Sequence, residues 1–128
     1  MSFDAIGIVS ENPARSIEFF KILGVEIKQY ENSGHFEGTT TSGVRIMLDT
    51  VDIIQSMDEN WKKTQGNGIV LCFKQDSPNQ VNETYNRLSK AGFKEIKAPW
   101  DAFWGHRYAC IADPDGNQID LFAALSGG

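Results

Sequence analysis

Asn12-Pro13-Ala14-Arg15-Ser16-Ile17-Glu18-Phe19-Phe20-Lys21-Ile22-Leu23-Gly24 is the stretch from which the fold can be read. Asn12 has the side chain to cap a helix, Pro13 suits its first position, and Gly24 supplies the stop. Between them Ile17, Phe20 and Leu23 recur at helical spacing. The same grammar returns downstream. Ser77-Pro78 opens a helix, Val81, Tyr85 and Leu88 form its apolar stripe, and Gly92 closes it. Pro13 and Pro78 lie 65 residues apart, Gly24 and Gly92 lie 68 apart, and Gly43 and Gly116 lie 73 apart. The offset drifts with small loop insertions while the order of elements holds.

Each helix sits among short runs that read as strands. Around the first are Ala5 to Val9, Val25 to Tyr30, His35 to Thr40, and Val44 to Asp49. Around the second are Gly68 to Phe73, Phe93 to Ala98, Arg107 to Ala112, and Gln118 to Phe122. Asp113-Pro114-Asp115-Gly116-Asn117 has proline and glycine where a tight reversal wants them. The sequence therefore predicts an α+β fold written as β-α-β-β-β twice. Module 1 covers about 1–50, a connector with a helical turn or two covers 51–67, and module 2 covers about 68–125. Each module is too small to bury its own sheet, so the two should share one domain over 1–128.

Composition narrows the function classes. The chain has 128 residues, 41% hydrophobic and 23% charged, as expected for a folded globular domain. Seventeen acidic residues against twelve basic ones give a net charge of −5. That balance disfavours nucleic acid and anionic lipid as partners, since both are held largely by neutralising phosphate. No apolar run approaches the roughly 20 residues a bilayer requires. Met1-Ser2-Phe3-Asp4 lacks the basic start of a secretion signal, so the expected location is the cytoplasm. Cys72 and Cys110 lie within apolar runs and read as buried free thiols, and no cysteine–histidine cluster offers a zinc site.

Strand side chains alternate between faces, so parity sorts them. One set holds Ile6, Ile8, Ile46, Leu48, Ile69, Leu71, Phe73, Ala109, Ile111, Ile119 and Leu121, and suits packing under the helices. The other holds Ala5, Gly7, Val9, Arg45, Met47, Asp49, Gly68, Val70, Cys72, His106, Tyr108, Cys110, Gln118, Asp120 and Phe122. This second face mixes small, aromatic, sulfur-bearing and charged residues. Such a mixture fits either the wall of a partly enclosed cavity or a second core with scattered satisfied polar groups. His35 and Glu37 share a face of their strand and with His106 offer an imaginable ligand set, but the two histidines lie in different modules and read instead as hydrogen-bonded or solvated side chains.

The paired β-α-β-β-β layout resembles the vicinal-oxygen-chelate superfamily, which includes glyoxalase I, extradiol dioxygenases and bleomycin-resistance proteins. Ala14 to Gly24 carries the likeness weakly. The segment Phe103-Trp104-Gly105-His106-Arg107-Tyr108-Ala109-Cys110-Ile111-Ala112-Asp113-Pro114-Asp115-Gly116-Asn117-Gln118-Ile119-Asp120-Leu121-Phe122 carries it more specifically. The resemblance implies a curved sheet or half-barrel cup with the helices outside, and a homodimer. Its metal-dependent members hold a divalent ion from four inner strand positions. Those positions correspond here to Ala5 (or Gly7), Met47, Gly68 (or Val70) and Asp120. Only Asp120 is a hard ligand, too few for a catalytic ion, so no metal and no cofactor are expected.

What remains is a binding cup with an aromatic rim. The expected ligand-binding residues are Arg45, Met47, Trp100, Trp104, His106, Tyr108 and Asp120, with no catalytic residue assigned. Rings supply area for a planar ligand, and Asp120 with Asp49 would suit a cationic one, unless they pair with Arg45. The resemblance favours a metal-free small-molecule binder of the bleomycin-resistance type that acts by sequestration. The second class is a lyase, isomerase or dioxygenase of this fold with atypical ligands or acid–base groups. The third is an interaction module whose aromatic loop is an interface.

Overall fold

The computed structural model describes residues 1–63 and 68–126. The chain divides into two compact units, Met1–Gln65 and Gly66–Gly128. Unit 1 runs β1 (Ala5–Ser10), α1 (Pro13–Ile22), β2 (Lys28–Gln29), β3 (His35–Thr39), β4 (Arg45–Thr50) and α2 (Val51–Met57). Unit 2 runs β5 (Leu71–Lys74), α3 (Pro78–Lys90), β6 (Glu95–Asp101), β7 (His106–Ala112) and β8 (Gln118–Ala124). The sheets have orders β1-β4-β3-β2 and β5-β8-β7-β6, and neither closes into a barrel. In each, the first strand lies parallel to the last and the other pairings are antiparallel. The α+β fold with a repeated module is thus present.

The capping signals act as their chemistry requires. The Asn12 side chain accepts from the Arg15 backbone N–H, and that of Ser77 accepts from Gln80 N–H. Gly24 (φ 84°) and Gly92 (φ 88°) take the left-handed conformation just past the two helices. That turn lets Val25 N–H reach back to Phe20 C=O, and Phe93 N–H to Leu88 C=O. Under α1 lie Phe19 and Phe20, fully buried along with Ile46 and Leu48 of β4. A Ser10–Ser16 hydroxyl bond of 2.9 Å ties β1 to α1 inside this layer. α3 packs on β6, β7 and β8, burying Val81, Tyr85 and Leu88 against Ala109, Ile111, Ile119 and Leu121.

Several expected boundaries move. The strand expected over Val25 to Tyr30 shrinks to Lys28–Gln29, because Val25 and Ile27 are spent as buried core residues. The Glu26 carbonyl there lies against Gly38 so closely that a Cβ at Gly38 would strike it. β5 starts at Leu71 rather than Gly68, which leaves Ile69 exposed instead of under a helix. The connector forms a two-turn helix, α2, capped by Thr50 and resting on β1 and β4 through Val51, Ile53 and Ile54. The polar end of the connector, 64–67, lies outside the described residues. Cys110 is buried as expected, but Cys72 is exposed. No helix among the described residues is long and apolar enough to cross a membrane.

Candidate functional site

The β6–β7 hairpin organises the aromatic residues. Its turn closes by Ala102 N–H to His106 C=O and Gly105 N–H to Ala102 C=O, with Gly105 at φ 87°. Trp100 and Tyr108 face each other across the strands, their ring centroids 5.4 Å apart. Trp104 folds back from the turn onto both, 6.2 Å from Trp100 and 5.3 Å from Tyr108, each edge to face. Phe103 adds a ring 5.0 Å from Trp104 and is almost wholly exposed. Tyr108 stacks on Phe122 at 6.2 Å, and His106 leans on Phe122 at 5.4 Å. These rings form one continuous array on the mixed face and its turn.

Strand irregularities decide which other side chains join it. Between Lys97 and Trp100, two residues of β6 run opposite one of β7 (Ala109), and a second shift lies between Glu95 and Lys97. Glu95 therefore turns to the helix side, where it accepts a 2.7 Å bond from the Tyr85 hydroxyl. Lys97, of the same parity, instead lies on the mixed face with its Nζ 4.0 Å from the Trp100 ring centroid. A cation so placed is attracted by the ring quadrupole.

Asp120 sits beneath the array and is buried. The Tyr108 hydroxyl donates to Oδ2 at 2.5 Å, and Gln118 Nε2 donates to Oδ1 at 2.9 Å. Its strand neighbours in register are Cys72 on β5 and Cys110 on β7. Burial, reinforced by the hydrogen bond to Asp120, pushes the Cys110 thiol up to about 12. The same causes, in the same order, push the Tyr108 phenol well above its ordinary value. Both therefore stay protonated near neutral pH and serve Asp120 as donors, not as nucleophile or base.

Unit 1 places a second polar set on the equivalent face. His35 lies opposite Asp49, and Glu37 opposite Met47. His35 Nδ1 is 2.6 Å from Asp49 and Nε2 is 2.8 Å from Glu37. Arg45 donates to Glu37 at 3.0 Å and, through Nε and Nη2, to Asp4 at 3.1 and 2.7 Å. Arg45 thus pairs with Glu37 and Asp4, while Asp49 pairs with His35. Met47 lies opposite Gly7, its terminal methyl 3.8 Å from where a Cβ of residue 7 would stand, an ordinary contact.

A family profile described as the glyoxalase/bleomycin resistance protein/dioxygenase superfamily matches residues 2–121. The chain belongs to that superfamily. Solved superfamily structures share its fold. One from Nocardioides, described as a glyoxalase/bleomycin resistance protein/dioxygenase, is 22% identical, with a TM-score of 0.77 over 100% of this chain and 86% of its own. A family enzyme from Burkholderia phytofirmans PsJN is 18% identical, with a TM-score of 0.83 over 95% of this chain and 98% of its own. A glyoxalase-related enzyme from Fulvimarina pelagi is also 18% identical, with a TM-score of 0.80 over 95% and 87%. None of the curated proteins compared matches the sequence.

The superfamily's metal positions can now be tested on the strand register. Gly68 precedes β5, and the β5 residue beside Asp120 is Cys72, just as Gly7 lies beside Met47. The register pairs are Gly7 with Met47 in unit 1 and Cys72 with Asp120 in unit 2. Their one hard donor, Asp120, already accepts at both oxygens. Among the described residues, no group of three or more histidine, cysteine and carboxylate side chains is arranged to hold a metal ion. This donor set does not fit a hard divalent cation.

Of the expected ligand-binding residues, Trp100, Trp104, His106, Tyr108 and Asp120 come together in unit 2, while Arg45 and Met47 lie on β4 of unit 1. Sequence reasoning left out Lys97, Phe122 and Cys72 from the site. Phe122 shares parity with Asp120, and the 65-residue spacing of Pro13 and Pro78 maps Gly7 onto Cys72. Both signals were available. Nothing in the sequence marked the irregularities that put exposed Lys97 on the mixed face.

Proposed function

We propose that the protein is a metal-free small-molecule binder that holds a planar, ring-bearing compound against Trp100, Trp104 and Tyr108, and sequesters it. The observation that carries this reading is the array itself. Trp104, about half exposed, and the exposed Phe103 extend from half-buried Trp100 and Tyr108, whereas lone surface rings would have no such common backing. Asp120 has its oxygens filled by donors, so its place in the reading is to fix Tyr108. Asp49 is engaged by His35, so neither carboxylate stands ready for a cationic ligand, and the rings rather than an ion pair support binding.

Two further proposals concern setting. The free sheet edges and the exposed Ile96 and Phe103 support self-association as a homodimer. The free thiols Cys72 and Cys110 suit the reducing cytoplasm. Light scattering should then give about twice the 14.3 kDa chain mass, and a monomer at high micromolar concentration would reject the dimer.

The binding reading is tested by titrating the protein with a panel of planar cationic, neutral and anionic aromatic compounds while following tryptophan fluorescence, with elemental analysis alongside. Saturable quenching by a member of the panel, with no stoichiometric zinc, nickel, manganese or iron in the purified protein, is expected. A stoichiometric metal lost on Asp120→Asn would overturn the metal-free reading in favour of an enzyme of the same fold.

A further inference from the structure

We infer that the β3–β4 hairpin carries a proton-operated clamp, in which a doubly protonated His35 bridges Asp49 and Glu37 and loss of one proton frees Glu37. This inference is independent of the ligand-binding reading. It rests on a count of donors. Both ring nitrogens lie within hydrogen-bond distance of a carboxylate, 2.6 Å to Asp49 and 2.8 Å to Glu37. Ionised carboxylates only accept, so both bonds exist together only when both ring nitrogens carry hydrogen. A neutral imidazole has one N–H and would turn a lone pair towards the other carboxylate.

The surroundings say which contact yields. Asp49 is the more enclosed partner, with 15% of its side chain accessible against 39% for Glu37. Leaving the enclosed carboxylate without a donor costs more. Glu37 also keeps Arg45 at 3.0 Å, so it can let go of the ring and remain paired. The neutral state is therefore Nδ1–H donating to Asp49, with Glu37 turned to Arg45. The charged groups facing His35 come from every neighbouring strand. Asp49 and Arg45 lie on β4, Glu37 on β3, and Lys28 of β2 lies opposite Glu37 with its Nζ 3.9 Å from Glu26. Asp4, just before β1, closes the far side of Arg45. The Tyr30 ring lies edge-on at 6.3 Å.

These carboxylates hold the His35 pKa above its ordinary 6.5, through the bond to Asp49 first and that to Glu37 second. The bond to His35 in turn holds Glu37 below the usual carboxylate range. A group whose pKa rises on folding adds stability that is fully present below its unfolded value. That contribution falls away as pH climbs through the folded value. The clamp is closed in mildly acid solution and opens as pH climbs through that raised value.

The test is an NMR titration of the imidazole resonances of the full chain from pH 5 to 9, with His106→Gln used to assign the two histidines. His35 should titrate above 6.5, and Asp49→Asn and Glu37→Gln should each lower its midpoint. Urea unfolding at pH 5.5 and 8.5 should show a loss of stability towards pH 8.5 that shrinks in His35→Gln. A His35 midpoint at or below 6.5 in the folded wild type, which needs no variant, would overturn the clamp. So would equal pH dependence in wild type and Glu37→Gln.

Discussion

Phe20→Ala is expected to destabilise the protein by about 3–5 kcal/mol, the range for emptying a ring-sized site in a packed core. Phe20 lies on the inner face of α1, wholly inaccessible, with its ring 5.1 Å from that of Phe19 in an edge-to-face pair. Removing it forfeits the burial of an aromatic side chain and leaves a void that the sheet beneath fills only by shifting. Against the roughly 5–15 kcal/mol typical of natural domains, this is a large share. Lys21→Ala, one residue along on the exposed side of α1, should stay within about 0.5 kcal/mol of wild type. Urea unfolding followed by far-UV circular dichroism measures both. A Phe20→Ala loss no larger than that of Lys21→Ala would mean that α1 is not the lid of the unit 1 core.

What was legible in the sequence depended on how far apart the cooperating residues stand. The helices were legible because their causes are local. Asn12 and Arg15, or Ser77 and Gln80, are three residues apart, and the glycines at positions 24 and 92 act on the turn beside them. The repeated module followed because the same local signals occur twice in the same order. Strand faces were legible wherever parity ran unbroken, as along β4 and β8. On β6 parity breaks, and Glu95 and Lys97 share it yet take opposite faces because the ladder slips between them. Partners across strands were the least legible. Asp49 meets His35 rather than Arg45 through a register set by the turn at residues 40–44, and Cys72 rather than Gly68 meets Asp120 because β5 begins late. Pairing across a sheet is a property of register, and a single sequence marks register only faintly.

The aromatic array makes the sharper functional prediction. With a planar compound taken from the fluorescence panel, Trp104→Ala should weaken binding by about 1–3 kcal/mol, or roughly 5- to 150-fold in Kd. Trp104 is the ring that joins Phe103, Trp100 and Tyr108, so its loss both removes stacking area and frees its neighbours to move. Its place in a turn, half exposed, means that truncation should spare the core, and matching melts of wild type and variant would verify this. Trp61→Ala is the control. Trp61 follows α2 in unit 1, held by a backbone bond from its N–H to Asp58 C=O, and belongs to no aromatic cluster among the described residues. Isothermal titration is the measurement, since removing an indole also removes fluorescence signal. Tyr108→Phe separates area from polarity. It keeps the ring but withdraws the hydroxyl from Asp120, leaving that buried carboxylate with the Gln118 carboxamide and the Cys110 thiol as donors. A ligand held by stacking should tolerate Tyr108→Phe better than Trp104→Ala. Equal affinity of the folded Trp104→Ala and Trp61→Ala variants would remove the array from the binding site altogether.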